Sequence, residues 1–107
     1  MPLTTSLPFG LDEVDVVICG GGLAACVVAG RLAEADRDLV ILMIERGPNN
    51  AGLDIVQHPA LFIMNLLPDS KTALSYKSKQ SKQLADREVV VQTGGTLGGG
   101  SSINIML

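Results

Sequence analysis

Val14-Asp15-Val16-Val17-Ile18-Cys19-Gly20-Gly21-Gly22-Leu23-Ala24-Ala25 changes its pattern twice within a dozen residues. The first six are β-branched or apolar apart from one acid, as in a short buried strand. Three glycines end that strand and permit a turn tighter than side chains allow. From Leu23 the apolar positions take helical spacing. Ala24, Val28, Leu32 and Ala35 recur every three or four residues, with Arg31, Glu34 and Asp36 toward solvent. Asp36-Arg37-Asp38 closes the helix. Leu39-Val40-Ile41-Leu42-Met43-Ile44-Glu45 is then a near-continuous apolar run, the kind found in parallel strands covered on both faces. Strand, glycine turn, helix and strand form a βαβ unit, so the fold class is α/β, Rossmann-like, with parallel strands.

That order, with G-x-G-x-x-G/A at the turn and an acid ending the second strand, is the dinucleotide-binding fingerprint. Gly20 permits the turn. Gly22 lets the backbone approach a pyrophosphate where a Cβ would collide, and Ala25, like Gly30, is small enough for helix to pack on strand. The phosphates would meet backbone N–H groups and the positive end of the helix dipole. Glu45 closes the second strand about 20 residues after the turn, where its carboxylate can accept from ribose hydroxyls. It would repel a 2′-phosphate, a preference that Arg46 beside it weakens.

The remaining chain is less explicit. Residues 1–13, with Pro2 and Pro8, read as an irregular arm, and 14–107 as one cofactor-binding portion. Gly47-Pro48-Asn49-Asn50-Ala51-Gly52 is a loop by its turn residues. Pro59 opens a short helix over Ala60 to Leu67, Thr72 to Tyr76 alternates as a strand, Lys77 to Gln83 is a solvated loop, and Val89-Val90-Val91 is another short strand. Ile103 and Ile105 to Leu107 read as the start of a helix or buried segment.

Composition narrows the partners. Hydrophobic residues make up 47% of the chain, a large share for 107 residues, and imply that some apolar surface expects neighbours. A net charge of −3 and only three aromatics (Phe9, Phe62, Tyr76) argue against a nucleic-acid binder. The longest uncharged stretch, Val16 to Gly30, is shorter than the roughly 20 residues of a membrane span, and the start lacks a secretory pattern. Cys19 and Cys26 lack redox or zinc spacing; they read as inert buried thiols in an intracellular, reducing setting, and no metal site is expected.

Thr93-Gly94-Gly95-Thr96-Leu97-Gly98-Gly99-Gly100-Ser101-Ser102-Ile103-Asn104 is a second glycine cluster, costly in backbone entropy unless the backbone must approach something closely. With the stretches at 14–22, 27–36 and 94–104, the sequence resembles the glucose–methanol–choline oxidoreductases. Asp-Ser-Lys-Thr-Ala at 69–73 and Gln-Leu-Ala-Asp-Arg-Glu at 83–88 are similar to the alcohol (methanol) oxidase branch of that family. The resemblance implies an FAD-dependent oxidation of a primary alcohol, with hydride passing to the flavin and O₂ reoxidising it. It implies that Gly20, Gly22, Leu23 and Ala24 line the pyrophosphate, with Glu45 and Arg46 at the adenosine ribose. Gly98, Gly99 and Gly100 would pass near pyrophosphate and flavin, and Asn104, followed by Ile105, would lie beside the isoalloxazine ring. Because Asn104 and its neighbours include no histidine, FAD is expected to be held non-covalently. Ala25 in place of a usual glycine and Gln92 in place of a common proline are the departures.

The family's catalytic histidine lies near the C-terminus of a much longer chain. His58, the one histidine here, reads as a surface or structural residue, and no catalytic residue is assigned. The chain is therefore expected to be an incomplete N-terminal portion of an FAD-binding domain, inactive in isolation, with a small alcohol as the full-length protein's substrate. A peroxisomal location follows from the family alone, and oligomeric state is open. Two other readings stay open: a standalone, non-catalytic dinucleotide-binding module, and a fragment of an NAD-linked dehydrogenase.

Overall fold

The computed structural model describes residues 3–104, so Ile105, with Met106 and Leu107, lies outside the described residues. Strand β1 (Val16–Cys19), helix α1 (Leu23–Ala35) and strand β2 (Ile41–Ile44) follow in the order the sequence predicts. β1 and β2 pair in parallel, with Val16 opposite Ile41 and Cys19 opposite Ile44. The amide of Gly20 extends the pairing by donating to the Ile44 carbonyl at 2.7 Å. Asp15 ties in the other end, its Oδ2 accepting from the Val40 amide at 2.8 Å.

The second half is built differently. A single α-helical turn, α2 (Asp54–Gln57), precedes a 3₁₀ segment over Pro59–Leu66. The sequence reading found the Pro59 start but missed α2. β3 (Ala73–Lys77) and β4 (Val90–Gly94) then pair antiparallel, with Ala73 opposite Gly94 and Lys77 opposite Val90. The polar stretch read as a loop thus gives Lys77 to a strand and Lys82 to a short 3₁₀ turn at Lys82–Leu84. A last 3₁₀ segment spans Gly99–Ile103.

Polar side chains tie this half together. Asn65 and Thr72 are each 1% exposed. Asn65 Nδ2 donates to the Ile55 carbonyl at 2.8 Å, and Thr72 Oγ1 donates to Asn65 Oδ1 at 2.5 Å. Gln92, where the resemblance leads to an expectation of proline, donates from Nε2 to the Leu66 carbonyl at 3.0 Å. A proline could not make that bond.

Burial departs from the sequence reading in several places. α1 half-buries Ala25, Ala29 and Leu32, whereas Ala24, Val28 and Ala35 are exposed. The packed stripe is therefore rotated from the one the apolar spacing suggested, since alanines on both sides of α1 fit that spacing equally well. Gly30 is also not a packing position: a Cβ built there meets nothing within 4 Å. Cys19 and Cys26 are exposed free thiols rather than buried ones. In the parallel pair Val17, Cys19 and Ile44 are exposed while Val16, Ile18, Ile41 and Met43 are half-buried, so the strands are not covered on both faces. Ile103, at 9%, is the buried hydrophobic residue among those described. The radius of gyration, 17.0 Å, exceeds the ~13 Å of a compact domain of about 100 residues. The apolar excess noted in the composition thus appears as open surface.

The glycines offer a stability test by urea unfolding. Gly30→Ala should stabilise the chain by about 0.5–1 kcal/mol, since it removes unfolded-state entropy from a helix interior at no steric cost. Gly47→Ala should destabilise it by about 1–3 kcal/mol, because a Cβ there would lie 2.0 Å from the Gly95 carbonyl oxygen.

Candidate cofactor site

The two glycine clusters, far apart in sequence, meet. The Gly98 amide donates to the Gly21 carbonyl at 2.7 Å, and Gly22 and Gly98 form a parallel bridge. Gly20 takes φ +94°, a conformation that favours glycine, and turns the chain from β1 toward α1. Gly21, which the fingerprint leaves unspecified, is the most tightly packed of the first three glycines: a Cβ there would lie 2.6 Å from Leu97 Cδ1 and 3.3 Å from Glu45. Gly22 differs from both. Its φ of −76° suits any residue and an added Cβ meets no atom of the chain within 4 Å. Nothing among the described residues requires glycine at 22.

Gly20, Gly22, Glu45, Arg46, Gly99 and Gly100 line one hollow of about 470 Å³ together with Thr93 and Gly94. A second hollow of about 340 Å³ shares Thr93, Gly94 and Gly100 and adds Gln92, Ile103 and Asn104. The structure thus brings six of the sequence-assigned residues to one wall and Asn104 to the adjoining one. Leu23 and Ala24 line neither hollow, and their side chains are exposed. Gly98 serves as the bridge to the first cluster. Thr93 and Gly94 were quoted in the second cluster without a role; their part depends on the β3–β4 pairing, which that motif does not encode.

No side chain caps the N-terminal end of α1, where Gly22 is the capping residue. The first turn of any α-helix holds N–H groups without intrahelical acceptors, and they give that end partial positive charge. Arg46 adds a cation on the same rim. The wall can therefore take an anion through backbone donors, with glycine removing the side chains that would stand in the way.

Glu45 departs from the expectation of an open ribose acceptor. Its Oε2 accepts from the Gly21 amide at 2.5 Å and its Oε1 from the Gly47 amide at 2.7 Å. These two bonds pull the carboxyl below its ordinary pKa, Gly21 most and Gly47 next; burial opposes them, and the amide and charge of Arg46 add to them. A carboxylate has about four lone-pair sites, so two remain for hydroxyl donors.

His58 lies away from both hollows, with its side chain 65% exposed and Nε2 3.9 Å from Asp54 Oδ1. Among the described residues no cluster of three or more His, Cys, Asp or Glu could hold a metal ion. No helix among them is long and apolar enough to cross a membrane.

Comparison with known proteins gives this arrangement a lineage. The alcohol oxidase of Candida boidinii is 48% identical over 96 residues, which are 90% of this chain and 14% of that protein. The crystal structure of pyridoxine 4-oxidase from Mesorbium loti superposes with a TM-score of 0.73 at 32% identity, over 88% of this chain and 18% of that one. The chain is homologous to the glucose–methanol–choline oxidoreductases. An FAD-dependent oxidoreductase from Chaetomium thermophilum is similar as well, with a TM-score of 0.67 at 31% identity over 88% of this chain and 15% of that one. No family model matches the sequence. The chain thus spans less than a fifth of the length of each of these relatives.

Glu45 makes the site's stability depend on pH with a definite sign. Its folded-state pKa lies below the ordinary 4.5. Its contribution is therefore complete above that value and lost as pH falls through the depressed folded one. Glu45→Gln places an amide donor against a backbone donor. The thermal midpoint of the variant should lie furthest below wild type near about pH 7, with the gap closing toward about pH 3. A gap that does not change with pH would remove Glu45 from this role.

Proposed function

We propose that the chain is the cofactor-binding portion of an FAD-dependent oxidoreductase acting on CH–OH groups, with residues 14–107 as that portion and 1–13 as an arm. The observation that carries this reading is the bridge between Gly22 and Gly98, which sets both glycine clusters along one anion-accepting wall. Bound there, FAD would supply the hydride acceptor, and O₂ would reoxidise it. Gly20, Gly22 and the first turn of α1, Leu23 and Ala24 included through their backbone, would hold the pyrophosphate. Glu45 would use its two remaining lone-pair sites for the adenosine ribose, with Arg46 on the same rim. Gly100 lines both hollows, Gly99 the first, and Asn104, in the second, would meet the ring system.

Among the described residues neither hollow is lined by a histidine, cysteine or tyrosine, and FAD would be held non-covalently. With no acid–base residue beyond Glu45 on either wall, the reading assigns this chain binding and orientation but no catalytic step. Oxidation of a small primary alcohol would belong to the whole protein.

Gly22→Val tests this reading with little structural penalty, since position 22 has an ordinary φ and space for a Cβ. Titration of the chain should show FAD bound more tightly than NAD. The variant should keep the wild-type circular dichroism and lose FAD affinity roughly 100-fold or more, about 2.7 kcal/mol. Unchanged flavin retention in the variant, or tighter binding of NAD, would count against it.

A further inference from the structure

We infer that Asn50 is the positioning residue of the site, fixing the orientation of the Leu97–Gly98 peptide so that the second glycine cluster docks on the first. The purpose given to this role rests on the cofactor reading above, while the geometry stands independently of it. Asn50 lies in the loop after β2 and is half-buried. Its Nδ2 donates to the Leu97 carbonyl and to Ser102 Oγ, both at 2.7 Å. Those bonds use both N–H groups of the amide. Ser102 Oγ donates in turn to the same Leu97 carbonyl at 2.7 Å.

The consequence follows from the planarity of the peptide unit. The Leu97 carbonyl and the Gly98 amide belong to one plane. Its oxygen is held by Asn50 and Ser102, and its N–H is the donor to Gly21. Rotation of the plane would break both ends together. Gly98 has φ +86°, and a Cβ there would lie 2.2 Å from Ser102 Oγ, so the held plane admits only glycine at this position. The adjacent Asn49 has only a local role, its Oδ1 accepting from the Ala51 amide at 3.0 Å. Pro48 adds to the same clamp, its carbonyl accepting from Thr96 Oγ1 at 2.7 Å and from the Leu97 amide at 3.2 Å.

Amide hydrogen exchange of the chain tests the role directly. Asn50→Asp preserves size but turns a carboxylate toward the Leu97 oxygen. It should speed exchange at Gly98 roughly tenfold, the scale of one hydrogen bond with its competitor left unpaired. Exchange at Gly20, whose amide is bonded to Ile44, should stay at the wild-type rate. Ser102→Ala, which keeps the bond from Asn50 to Leu97, is the milder variant and should give a smaller rise. Combining the two should give less than the sum of their effects, as for groups acting in one unit. Unchanged protection of Gly98, or equal acceleration at Gly98 and Gly20, would overturn the inference. FAD titration of Asn50→Asp should show affinity lowered by about the same factor; wild-type affinity alongside a deprotected Gly98 would overturn the positioning role. A wild-type chain that binds no FAD would defeat the cofactor reading, and exchange at Gly98 would still decide what Asn50 does.

Discussion

The hydrogen bond from the Gly98 amide to the Gly21 carbonyl joins the two glycine clusters of the site directly. On one side stands a parallel strand pair with its helix, on the other an antiparallel strand pair ending in a 3₁₀ turn. The two sheets share no ladder, so the wall between them depends on glycine backbones coming close. A side chain at 21 would meet Leu97, and one at 47 would meet the Gly95 backbone. The absence of Cβ atoms here is a packing requirement, whereas at Gly22 nothing among the described residues demands it.

Glu45 does two jobs through one carboxylate. Its bonds to Gly21 and Gly47 tie the end of β2 to the glycine turn and to the loop that reaches the second cluster. The same charge stands beside the positive end of α1 and beside Arg46. A carboxylate held by two backbone donors keeps its position on the wall of the hollow. An acid at the end of β2 is therefore both structural clamp and candidate ligand, and substitution there would disturb both functions. That coupling explains why loss of binding at Glu45 alone would not identify a ribose contact, and why Gly22, where an added Cβ would meet no atom of the chain within 4 Å, discriminates better.

The first half of the fold was legible because it is local: a β-branched run, three glycines and an apolar run mark β1, α1 and β2. The helix face was misjudged because alanines lie on both sides of α1: helical spacing fits Ala24 and Ala35 as well as Ala25 and Ala29, which the fold half-buries with Leu32. The thiols were placed inside by the same logic and lie outside. The antiparallel pair and α2 were obscure because pairing across an intervening polar segment leaves no periodic trace in either strand. Asn50 looked like an ordinary turn residue; its function comes from partners 47 and 52 residues away, which loop composition cannot reveal. Of the site, the backbone positions could be read and the side chains that hold them in place could not.

The central claim is that the two clusters form a single ligand-binding wall. Backbone amide shifts of the isotope-labelled chain, followed during titration with FAD, address it most directly. Gly20, Gly22, Gly99 and Gly100 should move together along one saturation curve, with Asn104 following them. Movement confined to one cluster, or none at a flavin concentration that saturates a true site, would contradict the account.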